Sequence, residues 1–139
     1  MSARLLDGNK IRDEILSDLR KEIEELKKAG IVPGLAAVLV GDNPASQIYV
    51  RSKVKTCESL GLFSERIEPP ATSTTEEMLA LIDNLNRRND IDGILVQLPL
   101  PSQIDSKRVL EAVSPAKDVD GFHPMNIGYL VSARPGLVP

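Results

Sequence analysis

Tryptophan is absent from the 139 residues, and two tyrosines and two phenylalanines are the only aromatics. Few stacking platforms are therefore offered to nucleic-acid bases. A basic excess is lacking as well: 17 Lys and Arg stand against 20 Asp and Glu, for a net charge of −3 and an isoelectric point near 5.2. A nucleic-acid partner, which calls for a basic face, is excluded on that ground. The single cysteine, Cys57, can form no internal disulfide, and the single histidine, His123, leaves a His-dependent zinc cluster and a Ser-His-Asp triad without support, so no metal is expected. Leu35 to Val40 is the longest uninterrupted apolar run, far short of the ~20 residues a helical membrane span needs. The opening MSARLLDGNK lacks the apolar core of a signal peptide, so a reducing cytoplasm is the expected compartment.

What is present is an ordinary globular composition, 42% apolar and 27% charged, in a length that suits one domain with a real core. Its organising stretch is LAAVLVGDNPASQIYVRSKVK, Leu35 to Lys55. The six apolar residues predict a central strand of a parallel sheet covered on both faces. Gly41 ends it, Asn43 can cap a new helix, and Pro44 pre-sets the helical φ at the first position. Val50, Val54 and Cys57 share one face of that helix, while Tyr49 and Lys53, four apart, share an adjacent stripe. The pattern predicts an aromatic and an amine near the carboxyl end of a central strand, where ligands bind in open α/β sheets.

Before this stretch, Asp7 or Asn9 can cap a helix with apolar positions Ile11, Ile15, Leu19, Ile23 and Leu26, stopped at Gly30. After it, Leu62 to Ile67 reads as a second strand ended by Pro69 and Pro70. Two capping boxes follow, Ser73 with Glu76 and Thr74 with Glu77, ahead of a helix burying Met78, Leu81, Ile82 and Leu85. Ile94 to Leu98 is a third strand stopping at Pro99, and Asp105 or Ser106 caps a short helix ended by Pro115. Strands alternating with helices predict an α/β fold, a three-layer parallel sheet with right-handed crossovers and helices on both faces. From Lys117 to Pro139 the residues are turn-rich with little periodicity, and read as a site loop followed by an exit segment.

Four pieces, LLDGNKIRDEI, VGDNPASQIYVRSKVKTCESLG, DGILVQLPLP and PAKDVDGFHPMNIGYL, resemble the bifunctional methylenetetrahydrofolate dehydrogenase/methenyltetrahydrofolate cyclohydrolase family. The resemblance covers essentially the whole chain. It implies that residues 1–139 form the folate-binding catalytic domain, with 117–139 as site loop and start of a crossover to a second, NADP-binding Rossmann domain. No Gly-x-Gly-x-x-Gly fingerprint lies in the 139 residues, so that domain, and NADP with it, is expected outside this chain. The implied reactions belong to one-carbon metabolism and purine biosynthesis: oxidation of 5,10-methylenetetrahydrofolate with NADP, then hydrolysis of 5,10-methenyltetrahydrofolate to 10-formyltetrahydrofolate. A tetrahydrofolate substrate is the implied partner, and a homodimer through the missing half stays open.

Carried over residue by residue, the resemblance puts the catalytic lysine at Lys53, its partner tyrosine at Tyr49, and the glutamine that orients the lysine at Gln97. Leu98 and Pro99 join Tyr49 and Gln97 in the implied substrate site, and Asp120 is the implied pterin anchor. Each assignment has a plain alternative. A helical lysine is usually a solvated charge, but an amine whose pKa is lowered by burial can take a proton from water and return one to a nitrogen near neutral pH. Tyr49 is either a core-edge ring or a platform for the flat folate. Gln97 interrupts an apolar strand and needs a definite partner, Lys53 or a loop backbone. Asp118 and Asp120 beside Gly121 are either turn residues or, for Asp120, a carboxylate accepting two hydrogen bonds from the pterin edge, with Asp118 as a loop brace. A calcium loop is ruled out, because its glycine belongs at position six. Arg51 and Lys55 read as surface charge able to attract a glutamate tail, His123 as structural, and Cys57 as an inert apolar residue. Two rival functions remain: a non-catalytic folate-binding module, and an α/β domain holding another small ligand at its strand ends.

Overall fold

A computed structural model describes residues 7–136. In chain order the elements are α1 (Gly8–Lys28), β1 (Gly34–Val38), α2 (Pro44–Leu60), β2 (Phe63–Ile67), α3 (Thr75–Arg87), β3 (Gly93–Val96), α4 (Ser106–Ala112) and α5 (Pro124–Val131). The sheet is parallel in the order β2-β1-β3, with Gly34 opposite Phe63 and Leu35 opposite Gly93. The uninterrupted apolar run is therefore the central strand. Alternation along it feeds two cores. Ala36, Val38 and Val40 pack with Met78, Ile82 and Leu85 of α3 and Val109 of α4, whereas Ala37 and Leu39 pack with Leu95 and with Val50 of α2. Helices thus cover both faces, as expected of a three-layer α/β domain.

Local signals set the element ends. Asn43 accepts from the Ser46 N–H at 3.1 Å with Pro44 in the first turn, and Gly61 closes α2 with a left-handed φ of 77°. Asp7, not Asn9, caps α1, and Asp105 caps α4. Of the two capping boxes the second is used: Thr74 Oγ1 accepts from the Glu77 N–H at 3.3 Å while Glu77 accepts from the Thr74 N–H at 2.8 Å. Ser73 lies one residue too early, its own N–H closing a turn onto Pro70.

Two expectations need correction. β3 ends at Val96 rather than Leu98; Gln97 N–H still donates to Val38 at 2.9 Å, but Pro99 and Pro101 have no N–H with which to extend the ladder. The stretch after Lys117 is not irregular throughout, since α5 occupies Pro124–Val131. Pro124 and Gly128 read as breakers, yet a proline in the first turn has no N–H to waste, and His123 Nδ1 accepts from the Met125 N–H at 3.1 Å. The expected amphipathic helix α1 is present, with Ile23 buried and Ile11, Ile15, Leu19 and Leu26 exposed among the described residues. Residues 1–6 of the opening motif and 137–139 of the exit segment lie outside the described residues.

Candidate functional site

The helix carrying Tyr49 and Lys53 returns from the carboxyl end of β1 toward its start, as a right-handed crossover between parallel strands requires. At ~1.5 Å per residue, Lys53 stands about 14 Å down that helix. It is therefore not at the strand tip, as the sequence pattern predicts, but on the flank of the sheet. Lys53 lines a groove of about 360 Å³ between α1 and α2, with Arg12, Leu16, Thr56, Cys57 and Leu35, the second residue of β1. Periodicity reports the face a residue occupies and not its depth along the helix. Lys53 is exposed. Tyr49 is 63% exposed, which removes it from the core and leaves the ring available as a platform.

Asp120 is half-buried. Its loop is laid along the free edge of β3: Ile94 bridges Asp118 in parallel, and the Ile94 N–H donates to the Lys117 carbonyl at 2.7 Å. Burial pushes the Asp120 carboxyl above the ordinary aspartate value; the Lys53 charge pulls it down, and Asp118 pushes it further up. Lys53 and Asp120 are thus brought within electrostatic reach of each other from different elements. No ion pair joins them among the described residues.

Gln97 has the definite partner that a half-buried amide demands, but it is a loop backbone: Nε2 donates to the Leu98 carbonyl at 2.8 Å. No hydrogen bond from Gln97 to Lys53 is present among the described residues. The bond instead sets the Leu98–Pro99 turn, whose peptide is cis. Pro99 lines a hollow of about 240 Å³ with Val40, Gly41, Asp42 and Asn43, the crevice at the carboxyl ends of β1 and β3.

Asp118 is 5% exposed and braces the loop, Oδ2 accepting from the His123 N–H at 2.8 Å and from Asn126 Nδ2 at 2.9 Å. His123 is the cap of α5. Burial pushes the Cys57 thiol up, which disfavours the reactive thiolate. Arg51 and Lys55 are exposed. Asn126 and Ser46, both buried, were not reached by sequence reasoning. A lone asparagine in the apolar PMNIGYL is the signal that marks the first; Ser46 carried none.

Among the described residues, the turns at Gly93 and Gly41 do not fit a dinucleotide's pyrophosphate. At Gly93 the space a Cβ would need is filled by Val119 Cγ1 at 2.6 Å, so no backbone is bared to a pyrophosphate. Gly41 leads into α2, but there an N–H that would greet a phosphate is taken by Asn43. No group of three His, Cys, Asp or Glu side chains among the described residues could hold a metal ion, and no described helix is long and apolar enough to cross a membrane.

Residues 6–120 match the family described as tetrahydrofolate dehydrogenase/cyclohydrolase, catalytic domain. The chain belongs to this family. It is 65% identical over all 139 residues to the bifunctional protein FolD of Koribacter versatilis, of which it covers 45%, and 63% identical over 95% of its length to that of Solibacter usitatus, covering 43%. The solved bifunctional FolD of Campylobacter jejuni superposes with a TM-score of 0.96 at 46% identity, covering 99% of this chain and 49% of that one. The Trypanosoma brucei FolD, solved with NADP cofactor and inhibitor, superposes with a TM-score of 0.94 at 34% identity, over 100% of this chain and 48% of that one. The chain spans about half the length of the curated relatives it matches.

Proposed function

We propose that residues 1–139 are the folate-binding and catalytic half of an enzyme of one-carbon metabolism, acting in the cytoplasm and serving purine biosynthesis. That enzyme oxidises 5,10-methylenetetrahydrofolate with NADP and hydrolyses 5,10-methenyltetrahydrofolate to 10-formyltetrahydrofolate. The observation that carries the reading is the half-buried Asp120, held above its ordinary pKa within reach of the Lys53 charge. A carboxylate kept partly dry is costly to the free fold and suits a ligand that brings its own N–H donors. The amino and ring N–H edge of a pterin is such a ligand. With that edge on Asp120, the flat ring system can lie over Tyr49, and Leu98 and Pro99, fixed by Gln97, border it.

Lys53 then acts as acid and base. Hydration of the methenyl carbon requires a proton removed from water and a proton returned to the departing nitrogen, and one amine can do both. The bound folate covers the exposed Lys53 and excludes bulk water from it. The same side chain holds the folate in line for hydride transfer. NADP supplies the hydride acceptor, and the residues that bind it are assigned to a Rossmann domain outside this chain.

A thermal melt of this chain tests the assignment. A ligand at a hundred times its dissociation constant stabilises the folded state by about 2.7 kcal/mol. Methenyltetrahydrofolate is expected to raise the melting temperature and millimolar NADP to leave it unmoved. A rise with NADP and none with folate would contradict both the substrate and the division of labour.

A further inference from the structure

We infer that Asp118 is a positioning residue for folate binding, acting through Asp120 by clamping the site loop to the first turn of α5; this rests on the folate reading above. The clamp is compact. Asp118 Oδ2 takes both the His123 N–H, at 2.8 Å, and Asn126 Nδ2, at 2.9 Å, while Asn126 Nδ2 also reaches back to the Pro115 carbonyl at 2.9 Å. Residues 115, 118, 123 and 126 are thereby tied at one point, closing a ring that contains Val119, Asp120, Gly121 and Phe122. Asp118 and Asn126 are 5% and 7% exposed, so water cannot readily replace either partner. Below the ring, the Ile94 N–H holds the Lys117 carbonyl, and Val119 Cγ1 seats in the space left by Gly93.

Asp120 therefore lies in a four-residue span fixed at both ends, and its height over the β3 edge follows from the clamp. A brace serving the fold alone has no need of a carboxylate two residues from another. Asp118 is in addition one of the charges acting on Asp120.

The test is a double-mutant cycle on KM for methenyltetrahydrofolate in an enzyme of full family length carrying this chain as its first half. Asp118→Ala is expected to raise KM about tenfold with kcat changed far less, and to raise it by less than about twofold when Asp120 is already alanine. Asp118→Asn, which keeps an oxygen for both donors, is expected to restore KM to within about threefold of the parent. Should Asp118→Ala not fold, Asn126→Ala carries the same cycle. A lower melting temperature with unchanged KM, or an equal rise in both backgrounds, would overturn the positioning role while leaving the folate reading intact. An unchanged KM in Asp120→Ala alone would overturn the folate anchor and the clamp's purpose together.

Discussion

Asp120 is the residue whose placement costs the fold something. Its carboxyl is raised above the ordinary value chiefly by burial. The folded state therefore binds the proton more tightly than the unfolded chain, whose aspartates titrate at about pH 4. Below that value both states are protonated and Asp120 contributes nothing. As pH rises through the folded value, the ionised carboxylate subtracts stability, and the penalty is fully present at neutral pH. Asp120→Asn is accordingly expected to melt higher than the parent at pH 7, with the difference fading toward pH 4 and below. Folate affinity moves the other way: Asp120→Ala loses a charge-assisted pair of roughly 1.5–3 kcal/mol, about tenfold to a hundredfold. Asp118→Ala, acting only through its neighbour, should weaken binding less. A titration in which it binds worse than Asp120→Ala would reverse the two assignments.

At the scale of elements, what depends on a few adjacent residues was legible in the sequence and what depends on tertiary placement was not. Asn43, Pro44 and Gly61 mark both ends of α2, because capping is decided within one helical turn. Helix α5 was hidden behind Pro124 and Gly128, whose tolerance in a helix depends on where the first turn falls. The partner of Gln97 was out of reach for the same reason, since it follows from how the 97–101 turn lies against the sheet; the depth of Lys53 follows from counting residues past the Asn43 cap. The carboxylate of Asp120 was identified by its motif, and its burial and its clamp only by the fold. One element junction is tight enough to predict sharply. Gly34 opens β1 with its N–H on Asp92 Oδ2 at 2.8 Å and its carbonyl taking the Asp92 N–H at 2.8 Å, and a Cβ there would stand 1.9 Å from the Asp90 carbonyl oxygen. Gly34→Ala must push backbone from backbone, so chemical denaturation is expected to show a loss of roughly 1–3 kcal/mol or more. A neutral result would mean that the β1 and β3 entries are not fixed to each other.

Over the whole molecule, the two faces of the sheet divide the work. The larger core lies under α3 and α4, where Met78, Ile82, Leu85 and Val109 are almost fully buried. The α2 face has the smaller core, and on its helix Lys53 and Tyr49 stand exposed, Lys53 within electrostatic reach of Asp120. The proposed chemistry thus falls on side chains that can be changed without opening the main core. That separation makes Lys53→Met the most direct measurement, since methionine keeps the apolar stem that lines the groove of Leu35, Thr56 and Cys57 and removes only the amine. In an enzyme carrying this domain, the variant is predicted to lose cyclohydrolase turnover while its melting transition stays where it was. Near-normal turnover with an unchanged melt would remove Lys53 from the mechanism and contradict the account.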